Sequence, residues 1–112
     1  MKAFASTVIA AHLALAATAC SSIVTYSANG NVASRAARDP SSMVVMMQGE
    51  PAPRAYVVSG KLHASSGDTA RSLELLRKEA ARNGLDGVVD VVCAPGGARD
   101  EGSCDANGFV YR

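Results

Sequence analysis

The sequence predicts a small α+β domain: one helix packed on a mainly antiparallel sheet in the order β-β-α-β-β, behind a cleaved signal peptide and a flexible linker. Three observations predict it. Apolar runs rich in β-branched residues flank a single segment with helical spacing. The first 19 residues carry the charge and hydropathy pattern of an export signal. Cys20 stands directly after that pattern, at a position suited to lipidation. The 112 residues accordingly divide into a signal peptide at 1–19, a lipidated N-terminus and linker at 20–42, and a folded domain at 43–112.

The leader begins with Lys2, continues as an apolar run from Ala3 to Ala17 broken by Ser6, Thr7 and His12, and ends in Ala17-Thr18-Ala19. A membrane-spanning helix needs about 20 consecutive apolar residues. This run is shorter and has no basic stop-transfer cluster after it, so cleavage is expected. Ala17-x-Ala19 fits an ordinary secretory cleavage site. The same residues also resemble a bacterial lipobox, with Ala17 where leucine is usual and Leu15 two positions early. The cysteine count favours the lipobox. Three cysteines in an oxidising compartment leave one unpaired. If Cys93 pairs with Cys104, Cys20 is that one, and acylation (palmitate and related chains) would consume its thiol. Ser21 resembles the sorting residue of lipoproteins sent to the outer membrane, so a lipid anchor facing the periplasm is expected.

Residues 20–42 are rich in Ser and Ala and show no sustained period. Fully extended, roughly 20 residues reach about 70 Å, and a flexible chain averages about 25 Å. Within this stretch only Ser22-Ile23-Val24-Thr25-Tyr26 has β propensity, enough for an edge strand. Met43-Val44-Val45-Met46-Met47 and the run from Ala55 to His63 read as strands separated by Glu50-Pro51-Ala52-Pro53. In the second, alternation places Tyr56, Val58, Gly60 and Leu62 on one face and Val57, Ser59, Lys61 and His63 on the other. Gly60 signals a bulge or the close approach of a neighbouring backbone. Asp68 is a candidate N-cap for a helix over 69–83, with Leu73, Leu76 and Ala80 as its apolar stripe and Ala70 and Ala81 beside them. Glu74 and Lys78 are spaced as an i,i+4 pair, and Asn83-Gly84 is a left-handed stop. Gly87 to Cys93 reads as a central strand, Ala94 to Asp105 as a Gly-rich loop, and Asn107 to Tyr111 as the closing strand.

Composition narrows the function. Loss of the leader leaves 93 residues with ten basic and ten acidic side chains. No basic run or interleaved aromatics mark a nucleic-acid surface. With so small a core, a Cys93–Cys104 disulfide closing about a dozen residues would contribute roughly 3 kcal/mol in the chain-entropy model. A redox or metal pair is the alternative, although the spacing does not match Cys-x-x-Cys. Among soft ligands, Met43 and Met47 would share a strand face suited to Cu(I) thioether binding, or simply fill core, and His63 would end a strand. No metal site or cofactor is assigned. No nucleophile–base–orienter set can be named either, so no catalytic residue is assigned and no enzyme is expected. Asp86 and Asp90 would solvate a strand end, Glu74 and Glu79 lie on different helix faces, and Gly96-Gly97 reads as a turn with no helix start behind it.

The span from about Tyr56 to Arg112 resembles the RcsF/YbjQ-like group of small bacterial proteins. The matching segments are Val58-Ser59-Gly60-Lys61-Leu62, Leu76-Arg77-Lys78-Glu79-Ala80-Ala81, Asn83-Gly84-Leu85-Asp86-Gly87-Val88-Val89 and Asn107-Gly108-Phe109-Val110. The resemblance implies an α+β fold. Its RcsF branch implies a disulfide-bonded outer-membrane lipoprotein that reports envelope damage through protein partners, and its YbjQ branch carries a heavy-metal-binding label. The expectation is therefore a non-enzymatic envelope lipoprotein acting as a protein-interaction or stress-sensory module, with periplasmic metal binding through Cys, Met and His as the alternative. The surfaces expected to meet an envelope protein are the outer helix face (Arg71, Glu74, Lys78, Arg82) and the Cys93–Cys104 loop.

Overall fold

The computed structural model describes residues 22–94 and 102–112; the leader, Cys20, Ser21 and the Gly96-Gly97 turn lie outside them. Strands β1 (Ile23–Ala28), β2 (Val44–Met47) and β3 (Tyr56–Ser65) precede helix α1 (Thr69–Arg82), and β4 (Gly87–Ala94) and β5 (Ser103–Tyr111) follow it. They form one five-stranded sheet in the order β1-β3-β5-β4-β2. The pairs β1–β3, β3–β5 and β4–β5 are antiparallel, whereas β2 joins β4 in parallel. The expected β-β-α-β-β succession is therefore present, with one further strand ahead of it.

That strand is the edge strand for which Ser22–Tyr26 had the propensity, extended to Ala28, and together with the order that follows it departs from the expected flexible linker. Residues 23–28 pair along β3 from Ser65 to Gly60, and Pro40–Ser42 form a 3-10 turn capped by Asp39. The cause is the alternation of β1, which turns Val24 and Tyr26 onto the helix-side core and leaves Ile23, Thr25 and Ser27 exposed. Tyr26 also donates its hydroxyl to the Ser59 carbonyl at 3.2 Å. The free edge of β3 that receives this strand is not apparent from the N-terminal sequence itself.

Helix α1 starts where expected, with the Asp68 carboxylate accepting from the Arg71 amide at 2.7 Å. Its buried side is formed by Ser72, Leu76, Ala80 and Ala81. Leu73 is only partly buried and Ala70 is exposed. Ser72 sits in the apolar face because its hydroxyl donates to the Gly102 carbonyl and meets the Ser66 hydroxyl at 2.8 Å, which fastens the helix start to β5. The expected Glu74–Lys78 pair gives way to Glu74–Arg77 at 3.0 Å. Arg77 is held toward Glu74 because it also donates to the Pro40 carbonyl at 3.1 Å.

Two bulges set the side-chain directions of the sheet. In β3, Val58 and Gly60 face successive residues Phe109 and Gly108, so Ser59 is extra. Tyr56 consequently joins the cluster on the outer face while Leu62 joins the helix-side core, which corrects their expected placement on one face. A simple two-residue alternation cannot anticipate an inserted residue. Gly60 fulfils both readings of its signal: it flanks the bulge, and a Cβ there would run into the Ser27 carbonyl of β1. In β4, the steps Val89 to Val92 and Val88 to Val91 match two-residue steps in β5 and β2. Asp90 absorbs the extra residue with a left-handed φ of 55°, a conformation aspartate tolerates better than most residues.

The core lies on both faces. Beneath α1, Leu62, Leu76, Ala80, Leu85, Val88 and Val91 are buried. On the outer face Met46, Val89 and Phe109 form a second cluster, bordered by Val44, Tyr56 and Tyr111.

Candidate functional site

Polar residues of the outer face gather between the bulges. Lys61 from β3, Asp105 and Asn107 from β5 and Asp90 from β4 line an open concavity of about 350 Å³. His63 Nδ1 approaches Asp105 Oδ1 at 2.8 Å, with both side chains well exposed. Solvent screens such a pair, so its attraction is worth about 1 kcal/mol or less. Among the described residues, no three His, Cys, Asp or Glu side chains converge as metal ligands.

The soft ligands are distributed over different environments. Met43 is buried in the helix-side core, Met46 in the outer cluster, and Met47 is exposed. His63 is on the outer face with Asp105, whereas Cys104 belongs to the helix-side core, so the sheet separates them. Cys93 and Cys104 face each other across β4 and β5 and are joined by a disulfide, with an S–S distance of 2.07 Å and Cα atoms 4.0 Å apart. Cys104 is fully buried, its Sγ 3.8 Å from the Thr69 carbonyl at the start of α1. Because β5 begins at Ser103, Cys104 is part of a strand rather than the end of the loop expected over 94–105.

Asp86 organises a junction that sequence reasoning did not identify. Its Oδ2 accepts from the Tyr111 amide at 2.7 Å. Its Oδ1 accepts from the Arg38 guanidinium, with Arg35 at 3.5 Å. Arg38 donates further to the Leu85 carbonyl at 3.2 Å, and its amide donates to the Ala81 carbonyl at 2.8 Å. Residues 35–38 are thereby fixed against the end of α1. Gly84 makes room for them: it has a φ of 72°, and a Cβ would stand 2.6 Å from the Ala36 carbonyl oxygen. Arg35 and Arg38 are spaced for a common partner, but that partner is 48 residues beyond Arg38 and nothing local pairs them.

Burial pushes the Asp86 carboxyl up, but the Tyr111 amide, then Arg35 and Arg38, outweigh it and hold the group below the usual aspartate range. A depressed folded-state pKa stabilises the fold above the unfolded pKa, and that contribution fades as pH falls through the folded value. Asp86→Asn should therefore cost about 1–3 kcal/mol at neutral pH, the range for a hydrogen-bonded charge. The difference from the parent should shrink on acidification through and below the usual aspartate range. Urea midpoints at several pH values check this; a pH-independent difference would contradict the charge-based account.

On the outer side of α1, Arg71, Lys78 and Arg82 are exposed and Glu74 is half-buried. Arg82 pairs with Glu79 at 3.2 Å. No helix among the described residues is long and apolar enough to cross a membrane.

Comparison with known proteins yields a fold neighbour. No family model matches the chain, and no curated protein does. Among solved structures, the chain is similar to a Francisella virulence factor, FvfA, in its orthorhombic crystal form, with a TM-score of 0.54 and 19% identity. The match covers 81% of this chain and 98% of the other. At that identity the likeness establishes the small α+β fold.

Proposed function

We propose that the chain is a non-enzymatic lipoprotein of the bacterial envelope, held in the outer membrane through Cys20 and acting by contact with an envelope protein. The observation that carries this reading is the Cys93–Cys104 disulfide. It leaves Cys20 as the unpaired cysteine of the chain, directly behind a leader ending in small residues. A disulfide suits an oxidising compartment, and acylation gives the remaining thiol a use. The segments resembling the RcsF/YbjQ-like group support a sensory or interaction role. The exposed Arg71, Lys78 and Arg82 of α1 are the proposed contact surface.

The test is fractionation of cells expressing the full chain. The parent should sediment with the membranes and Cys20→Ala should lose the lipid-modified form. Indistinguishable mobility and lipid labelling of the two would contradict the anchor. For the contact surface, a photoreactive residue at Lys78 should capture an envelope protein, and Lys78 capture unaffected by charge reversal at Arg71 and Arg82 would remove that face from the proposal.

A further inference from the structure

We propose that the open edge of β1 is the site where a second copy of this chain adds, its β1 running antiparallel so that the two sheets join into one. This rests on removal of the leader and acylation of Cys20. The two edges of the sheet differ. At one, β2 is four residues long with a break in its register. Glu50 closes the end of that strand: the Met47 amide donates to the Glu50 carboxylate at 2.6 Å, and the Met47 carbonyl accepts from the Glu50 amide at 3.0 Å. At the other edge, β1 runs six residues against β3 without a break and carries neither charge nor proline. Bulges, charges and proline are devices that keep a sheet edge from pairing with another chain, and β1 has none of them.

The direction of its backbone groups follows from Asn29, just past the strand, whose amide donates to the Ser59 carbonyl at 2.8 Å. Alternation then turns Ile23, Thr25 and Ser27 toward β3 and leaves the N–H and C=O groups of Val24, Tyr26 and Ala28 pointing outward. Ser27 agrees, since a Cβ at Gly60 would run into its carbonyl. Among the described residues no strand lies outside β1. Past Asn29 the chain turns at Gly30, with a φ of 85°, and Val32 packs against the helix-side core. The connection over 95–101 joins β4 to β5, and β3 separates β5 from β1. Ahead of β1 the mature chain would have only Cys20, Ser21 and Ser22, too few residues to turn back and pair along it.

A second copy fits this edge. With a two-fold axis at Tyr26, Val24 of each chain stands opposite Ala28 of the other and Tyr26 opposite Tyr26, so every outward N–H and C=O finds a partner. Thr25 meets Ser27 on the exposed face, hydroxyl beside hydroxyl, and no like charges oppose each other. The axis stands normal to the joined sheet and keeps both Cys20 residues at one height, as two anchors in one leaflet require. Pairing of one strand buries little surface, so the dimer is weak when dilute and forms where anchors confine the chains to a membrane.

The experiment uses the full chain purified from its membranes, with leader removal and acylation verified by intact mass, in vesicles of phosphatidylethanolamine and phosphatidylglycerol. A benzophenone residue replacing Ser27 should give, on irradiation, a covalent dimer whose cross-linked peptide maps to residues 23–29 of the other copy. Ala28→Pro removes an outward N–H and none that β3 uses, and should cut the yield several-fold at an unchanged urea midpoint. Thr25→Lys, which brings two lysines together across the axis, should do the same and decides the matter if the proline lowers the midpoint. Acylated protein that gives no dimer, cross-links to other segments of the second copy, or a yield unmoved by Thr25→Lys overturns the pairing and leaves the anchor standing. A chain that keeps its leader or lacks acyl mass overturns the anchor reading itself, and the pairing argued from it.

Discussion

Phe109→Ala should destabilise the domain by about 3–5 kcal/mol, the range for emptying a fully buried aromatic site. Phe109 has no exposed surface, and its ring lies 5.2 Å from Tyr56 and 5.1 Å from Tyr111 between centroids. Met46 and Val89 complete its surroundings. These neighbours belong to β2, β3, β4 and β5, held in register by backbone pairing. The site therefore has little freedom to collapse into the space left. A domain of this size has about 5–10 kcal/mol in total, so the loss would leave it close to unfolding. Urea denaturation measures it: the midpoint should fall sharply while the slope is unchanged. A loss below about 1 kcal/mol would mean that the outer cluster is not a second core.

Replacing both cysteines, Cys93→Ser with Cys104→Ser, should cost about 3 kcal/mol in loop-closure entropy, with a further penalty from placing a hydroxyl at the fully buried Cys104 position. For a domain below 100 residues that corresponds to a fall in Tm of more than about 10 °C. Cys93→Ala with Cys104→Ala separates the two contributions, since it removes the cross-link without adding a buried hydroxyl. Reductant should lower the Tm of the parent toward that of the alanine pair and leave both variants unaffected. If the alanine pair melts with the oxidised parent, the bridge contributes nothing to the fold.

Features governed by neighbouring residues were legible in the sequence. Asp68, the Leu76–Ala80 spacing and Asn83-Gly84 place α1 to within a residue at either end, because capping and periodicity are local. β4 was equally apparent from its valines, and the cysteine pairing followed from count and spacing. What escaped depends on the assembled sheet. Residues 22–26 had the β propensity for the edge strand that forms, whereas the rest of the stretch to 42 looked like linker because its apolar positions are sparse, yet the acceptor at Asp86 fixes Arg35 and Arg38 in place. Gly60 signalled the irregularity in β3, but its consequence for side-chain direction escaped, as did the Asp90 bulge, because an inserted residue reverses every later side chain without altering the apolar composition. The outer-face concavity was hidden for the same reason: Lys61, Asp90, Asp105 and Asn107 come from three strands and converge only after both insertions.

Intact mass decides whether this disulfide-bonded domain is anchored through Cys20. Protein purified from its native membrane fraction should begin at Cys20, carry added acyl mass, and gain about 2 Da on reduction as one disulfide opens to two thiols. An unacylated chain, with no change on reduction because both thiols are already free, would contradict it.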